Sequence, residues 1–445
     1  MTSTVARSWF GSHADPDRRF DAARAAETIV ADMRGVSMGG YPVAVSPVVV
    51  PRKSYRYLLD ATTRLLDLQR RTVINLASDS HGRMAALGLD PRLHPRATDD
   101  EAYEMRYCAE MARADVLIAE EGPRFVEFNV GASFGGMVQF DIHRRAWQRL
   151  SAEAGGPELS SPDPFALYAR LITGICAELG IDPSALLVGS LEDPSVSNRF
   201  FDHQVERLRA HGVPTRFARL DQLPDVMGPP AALARLLGLV HVCENEAQAS
   251  GWDLSALVTA LRSGLRMFPS QTTRLVDSKK VLALLSEGLP WMSAEERALV
   301  RRVVPWSRLM GDRRTEWRGK RYDLPRLVVE RQELFVLKGA SGFSSEEVHF
   351  GTRISPRQWA ELVESAVRSE YYVVQEIVPV VRHPVRVMLD GSGETETVSA
   401  NSVLSPFSIG GAATGCLVRF DRATEPGAIT VRSGARLACL FAAPV

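Results

Sequence analysis

The chain has 445 residues, 45% apolar and 24% charged. That is globular composition, and it excludes collagen-like, disordered and coiled-coil classes. Acidic and basic residues balance at 53 each, so no bulk charge draws the chain to nucleic acid or to an anionic membrane. The five cysteines (Cys108, Cys176, Cys243, Cys416, Cys439) are scattered and form no C-x-x-C pair. A disulfide framework or zinc knuckle is not expected, and a reducing compartment is. Of the basic residues only five are lysines: Lys53, Lys279, Lys280, Lys320 and Lys338.

The opening residues, MTSTVARSWFGSHADPDRRFD, lack the apolar core and cleavage pattern of a secretory signal. No apolar run reaches the ~18–20 residues that span a bilayer. The expected location is therefore cytoplasmic. Residues 20–34 read as an amphipathic helix and 43–51 as a short, Pro-marked β segment. Residues 54–74 show helical apolar spacing through Tyr57, Leu58, Leu65, Leu66 and Leu68. ARADVLIAEEGPRFVEFN reads as strand, turn and strand, and the small, polar stretch 152–164 as a boundary. Beyond it, a helix (165–179), an apolar strand (185–193), a helix (198–212) and a strand (238–245) predict a small parallel sheet. From about 270 onward strands alternate with occasional helices. The clearest hairpin there is 385–404, turning at Asp390-Gly391-Ser392-Gly393. The expected fold is α+β or α/β with mixed or antiparallel sheets, divided at 1–160, 161–265 and 266–445.

The first chemistry lies in the 113–129 hairpin. Residues two apart on a strand share a face, so Arg113 pairs with Asp115 and Glu127 with Asn129. A turn near Glu121-Gly122 brings Asp115 opposite 127–129. Two carboxylates, an amide oxygen and a guanidinium then share one face, a hard-oxygen set suited to Mg²⁺. The same spacing fits a solvated sheet face. Gly131, Gly135 and Gly136 follow, and such small residues allow backbone N–H groups to approach an anion.

The lysines come next. Lys279 and Lys280 open a helix that Ser278 can cap, with Leu282 and Leu285 inward. A bound anion or a solvated surface pair would each account for lysines in a first turn. Lys338 ends a strand and precedes Gly339-Ala-Ser-Gly342, a small-residue loop that can close over phosphates but is not a Walker A motif. Tyr371-Tyr-Val-Val-Gln375-Glu376-Ile377 reads either as a core strand or as a hinge between two lobes clamping a purine. Gly410-Gly411…Gly415…Arg419 gives a Gly-rich loop feeding a strand with one Arg, a phosphate partner or a surface residue.

Taken in order, these segments resemble the ATP-grasp superfamily in its circularly permuted form, among the glutathionylspermidine synthetase-like carboxylate–amine ligases. The group's R-x-D and E-x-N strands are similar to Arg113-Ala-Asp115 and Glu127-Phe-Asn129. Its N-K helix start resembles Ser278-Lys279, and its V-x-K-P…G loop resembles Val336-Leu-Lys338-Gly339…Gly342…Val348…Gly351. Its V-x-Q-E hinge matches Val373-Val-Gln375-Glu376, and its closing G-G…G…R resembles Gly410-Gly411…Gly415…Arg419. The loop after Lys338 departs from the pattern: it lacks the Pro and carries Ser344-Ser345-Glu346-Glu347.

The resemblance implies two lobes clamping ATP, with the 161–265 unit as an additional α/β substrate unit. It implies Mg²⁺ on Asp115, Glu127 and Asn129. ATP would bind through Lys279, Lys338, Gly339, Gly342, Gln375, Glu376 and Ile377, with Arg113 and Arg419 as catalytic groups. The implied reaction joins an acid to an amine through an acyl phosphate, releasing ADP and phosphate. The substrates would be small molecules or peptides, free or carrier-protein-bound. Nucleic acid and membrane are not expected as partners, and a homodimer is the base-rate oligomer. A kinase-like phosphotransferase and a catalytically inactive nucleotide-binding partner protein are the alternatives.

Overall fold

The computed structural model describes residues 9–10, 21–36, 40–91, 100–131, 135–189, 199–242, 247, 251–341, 347–422, 427–430 and 434–443. The chain's first part supplies strands β1 (Val43–Ala44), β2 (Val48–Val50), β3 (Met111–Ala119) and β4 (Gly122–Val130). Next come β5 (Ala185–Gly189), β6 (Thr215–Arg219), β7 (Leu237–His241) and β8 (Arg266–Phe268). The last part supplies β9 (Ser307–Leu309), β10 (Arg314–Trp317), β11 (Lys320–Asp323), β12 (Phe335–Gly339), β13 (Val348–Phe350) and β14 (Tyr372–Glu376). It ends with β15 (His383–Met388), β16 (Thr395–Ile409), β17 (Ala412–Asp421) and β18 (Arg436–Ala442).

The largest sheet has eight strands and joins β1–β4 to β15–β18, so the two ends of the chain share one sheet. Its pairings are antiparallel except β18 with β2. The hairpin expected at 385–404 is present, with Met388 opposite Thr395. Ile409 faces Ala412 across Gly410 and Gly411, whose φ values are 59° and 74°. That mirror-image two-residue turn matches the twist of the strands it joins and favours glycine at both positions. The Gly-rich loop of the sequence is therefore a tight hairpin.

Each face of this sheet carries a different layer. Ala112, Ala114, Val116 and Ile118 alternate inward onto the helix Arg52–Leu76, whose Leu58, Leu65 and Leu68 lie on one stripe. On the other face, Phe140 and Trp147 of helix Met137–Glu153 and Phe165 and Ile172 of helix Pro164–Glu178 pack against Phe407, Leu417 and Phe441. Asp163 starts the second of these helices by accepting from the Phe165 and Ala166 N–H groups at 2.9 and 3.3 Å. The 137–153 helix has no apolar stripe to announce it. Gln139, Asp141, His143 and Arg144 are buried along with Phe140 and Trp147, so its pattern never alternates.

The middle unit is a parallel sheet of order β6-β5-β7-β8, as the βαβ alternation predicts. Its strands end at Gly189 and His241, and the remainder of the expected runs, 190–193 and 243–245, includes residues outside those described. A third, antiparallel sheet has the order β13-β12-β14-β9, with the β10–β11 hairpin beside it. Leu327 and Val328 of helix Leu324–Glu330 and Trp359 of helix Pro356–Ser369 cover its outer side. Helices Lys279–Glu287 and Ala294–Val303 join this lobe to the large sheet, burying Val281, Leu282, Leu299 and Val303 in the same core as Val116 and Phe125. Among the described residues, no helix is long and apolar enough to cross a membrane.

Candidate active site

The 113–129 hairpin forms, and Asp115 falls opposite the expected 127–129 region; the register pairs Arg113 with Asn129 and Asp115 with Glu127. The register then shifts: Val116 pairs with Phe125, so Val126 is an extra residue. This bulge lets both Phe125 and Phe128 enter the core, stacked at 5.8 Å. It also places Val126 and Glu127 together on the wall of a cleft of about 740 Å³ between the large sheet and the β12–β14 sheet. The bulge gives no signal in the sequence, because Val126 contributes a backbone carbonyl.

Asp115 sits at the closed side of the cleft with a side chain 13% exposed. Its Oδ1 meets Arg419 Nη2 at 2.6 Å and Arg113 Nε at 3.4 Å, and accepts from Ser405 Oγ at 3.2 Å. Burial alone would raise its pKa. The Arg419 and Arg113 guanidiniums, with the Arg419 and Ser405 hydrogen bonds, outweigh burial and hold it at about 2. Arg419 is only 9% exposed, so it is not a surface residue, and among the described residues its Nε is buried without a partner. Arg113 also donates from Nη1 to the Gly135 carbonyl at 3.2 Å. Ser405 precedes a Pro in the strand and carries no motif that would single it out.

Neither first-turn lysine is solvated. Lys280 is 8% exposed, and the Lys279 side chain is 9% exposed with its Nζ 3.0 Å from Glu127 Oε1. Burial opposes the Lys279 charge, but Glu127 and Asp277 prevail and its pKa is raised. Ser278 occupies the N-cap position without making a side-chain cap. The Lys279 N–H instead donates to the Ala340 carbonyl at 3.0 Å, so the end of β12 serves this helix start. Asp277 adds a further tie, accepting from the Val130 N–H at 2.7 Å.

Lys338 lies within β12, paired with Val348 on one side and Val373 on the other. Its Nζ donates to Gln375 Oε1 at 2.8 Å and to the Val126 carbonyl at 3.2 Å. Burial is the main influence and lowers its pKa to about 8, with Lys279 pushing the same way and Glu127 and Asp115 opposing. Gly339 lines no part of the cleft. Its N–H donates to the Glu347 carbonyl, and a Cβ there would overlap Glu347 and Tyr371. Gly342 lies outside the described residues.

At the other end of the cleft the walls are apolar: Leu117, Val336, Phe350, Ile377, Val403 and Ile429. Glu376 reaches the rim, where its Oε1 accepts from Trp317 Nε1 at 2.8 Å and from Arg318 Nη2 at 3.1 Å. The Ile377 N–H is engaged by the Leu334 carbonyl at 2.8 Å, while its side chain lines the cleft. The Gln375 side chain points at Lys338. The structure thus gathers Asp115, Glu127, Lys338, Gln375, Glu376, Ile377 and Arg419 around one cleft. Arg113 and Lys279 flank it through Asp115 and Glu127, and Asn129 stands behind them, paired with Arg113.

The contacts of Asp115 and Glu127 with Arg113, Arg419, Ser405 and Lys279 fall on Oδ1 and Oε1. Asn129 Nδ2 donates to the Arg113 carbonyl at 3.4 Å, which leaves its Oδ1 as an acceptor. Two carboxylates and an amide oxygen on one hairpin are a hard-oxygen donor set of the kind that suits a small divalent ion that retains waters. No group of three or more His, Cys, Asp or Glu suited to a metal occurs among the described residues.

No family model matches the sequence, and no curated protein matches it. The fold does have solved relatives. One is a glutathione synthetase-like effector from Globodera pallida in its apo form, with a TM-score of 0.59 and 13% identity over 96% of this chain and 98% of that one. A candidate gamma-glutamylcysteine synthetase from Methylobacillus flagellatus KT aligns over 83% of this chain and 84% of that one, at a TM-score of 0.34 and 14% identity. The chain is a mixed α/β protein with the fold of the first of these, a glutathione synthetase-like protein.

Proposed function

We propose that the chain is an ATP-dependent carboxylate–amine ligase of the ATP-grasp type. The observation that carries this is the cleft itself. It has an apolar slot at one end, and at the other a lysine whose hydrogen bonds among the described residues go to neutral acceptors, beside paired carboxylates and a buried arginine. A planar base fits the slot, and its phosphates fit the cationic end. Lys338 and Lys279 would neutralise phosphate oxygens, and Arg419, which lines the cleft, would meet the transferred phosphoryl group. Arg113 would stabilise the developing oxyanion. Asp115, Glu127 and Asn129 would hold Mg²⁺, which supplies charge neutralisation across the phosphates.

In this reading a substrate carboxylate attacks the γ-phosphorus, ADP leaves, and an acyl phosphate forms. An amine then attacks the acyl carbon; phosphate departs, the amine loses a proton, and an amide remains. No enzyme nucleophile takes part. The acid and amine substrates, free or carrier-bound, would enter beside the 161–265 unit. The test is incubation with ATP, Mg²⁺ and pools of acids and amines, followed by mass spectrometry for an amide and assays for ADP and phosphate. Release of AMP, or ADP with a stable phosphorylated product, would overturn the ligase reading; the second result would point to a kinase. Glu127→Gln is expected to abolish turnover while the melting transition remains cooperative.

A further inference from the structure

Gln375 stands in the strand expected to form a nucleotide hinge, yet its side-chain amide is engaged by Lys338 and Ser307. It is 4% exposed and stands directly opposite Ser307 across the β14–β9 pairing. On its other side Val336 is its direct partner, so Lys338 is its diagonal neighbour on the same face. Three side chains from three strands therefore stand in a row.

Their hydrogen bonds have one consistent direction. The Pro305 carbonyl can only accept, and Ser307 Oγ, fully buried, donates to it at 2.9 Å. With its proton committed, Ser307 Oγ accepts from Gln375 Nε2 at 3.0 Å. The amide is thereby oriented with Oε1 toward Lys338 Nζ, 2.8 Å away. The flipped amide would set acceptor against acceptor at Ser307 and donor against donor at Lys338. The Val126 carbonyl of the β4 bulge takes a second ammonium proton at 3.2 Å. An ammonium has three protons, so one remains for the cleft.

We propose that Gln375 is a positioning residue for Lys338, its amide oriented by Ser307 so that the ammonium is held in place by neutral acceptors and its charge stays available to a phosphate. The functional part rests on the reading of the cleft as an ATP site; the orientation of the lysine does not. Lys279 shows the contrast, since its charge is matched by Glu127 at 3.0 Å. The charged groups acting on Lys338 are Glu127 and Asp115 from the large sheet and Lys279 from the helix start.

The test uses the full chain with ¹³C-labelled lysine. Its five lysines give few Cε resonances, and Lys338→Met assigns the one of interest. Binding of ADP and of adenosine is measured in parallel by calorimetry. Gln375→Leu is expected to weaken ADP by about tenfold or more while adenosine changes less than about twofold. Gln375→Glu, nearly isosteric, places a carboxylate on the ammonium. It should raise the Lys338 titration by about one pH unit or more and still weaken ADP, because the charge is now matched. Ser307→Ala should shift ADP affinity in the same direction as Gln375→Leu, with Ser307→Thr restoring it. Adenosine weakening in step with ADP would overturn the proposal, since Gln375 would then read the base. An unmoved Lys338 titration in Gln375→Glu would overturn it as well. If the wild-type chain bound neither ligand, the nucleotide reading would fail while the titration still decided the role of Gln375.

Discussion

Asp115 concentrates three donors on one oxygen in a nearly buried setting, and that makes it a stability element as well as a site residue. Its folded pKa, about 2, lies below that of an exposed aspartate, so the unfolded chain binds the proton more tightly. Its contribution is therefore fully present above about pH 4 and is lost as pH falls toward 2, with a size of about 2 kcal/mol. Asp115→Asn should remove that acid-labile part and leave Arg113 and Arg419 facing each other. Circular dichroism melts between pH 2 and 7 are expected to show lower stability at neutral pH and a flatter acid limb. An unchanged acid limb would mean that other carboxylates set it. Lys338 gives a second residue-scale prediction. Its ammonium fits between a carbonyl and an amide oxygen at 8% exposure, and a forked guanidinium is too large for that position. Lys338→Arg should lower kcat/KM for ATP by about tenfold or more, whereas Lys320→Arg, on the exposed β10–β11 turn, should be silent. Steady-state kinetics on the pair decides between a compact charge and any positive charge.

Among the elements, β16 and β17 carry the site's arginine, and their register is set at Gly415. Its φ is 50°, and a Cβ there would overlap the ring of Phe140. Gly415→Ala combines a left-handed backbone penalty with overpacking, together about 2–5 kcal/mol. The melting temperature should fall sharply, and Arg419 should lose its alignment with Asp115; thermal melts and residual ADP release report the two effects separately. Much of this region was legible in the sequence. The alternation in 111–130 gave the hairpin and placed Asp115 opposite the 127–129 region, because period two is imposed by the pleat whatever surrounds it; the exact partner, Glu127, follows from the bulge at Val126. Of the lysines expected at the site, Lys338 lines the cleft and Lys279 flanks it, whereas Gly339 does not line it and Gly410-Gly411 form the β16–β17 turn. What stayed hidden acts through tertiary placement: the Val126 carbonyl, the Ser307 hydroxyl opposite Gln375, and Ser405 beside Asp115. None has a spacing rule. The 137–153 helix was hidden for a related reason, since a helix buried with its polar side chains has no stripe to count.

At the scale of the molecule, the question is what fastens the parallel middle unit to the large sheet. One tie is ionic. Asp141 is fully buried on the 137–153 helix and meets Arg144 at 2.6 Å, with Arg207 at 2.9 Å and His203 at 3.0 Å from the helix Arg199–Ala210. Asp163, at the start of the 164–178 helix, bonds Arg207 and lies 3.3 Å from both Arg144 and His211. Burial would raise the Asp141 pKa, but His203, Arg144 and Arg207 prevail and hold it at about 2. The other tie is apolar: Leu187, Leu239 and Phe268 share one core with Phe165, Tyr168 and Ile172, and through them with Phe407 and Phe441 of the large sheet. Breaking a buried ionic cluster by removing one partner costs about 3–5 kcal/mol. Each large apolar side chain in the seam contributes roughly 1.5–3 kcal/mol, so the eight named here outweigh the cluster. Asp141→Asn should therefore lower the melting temperature while calorimetry still shows one transition for the middle unit and the large sheet. Hydrogen exchange should speed up in the 199–210 helix before it does in β5. A separate low-temperature transition, with β5, β6 and β7 exchanging together, would show that the charges and not the apolar seam fasten the unit.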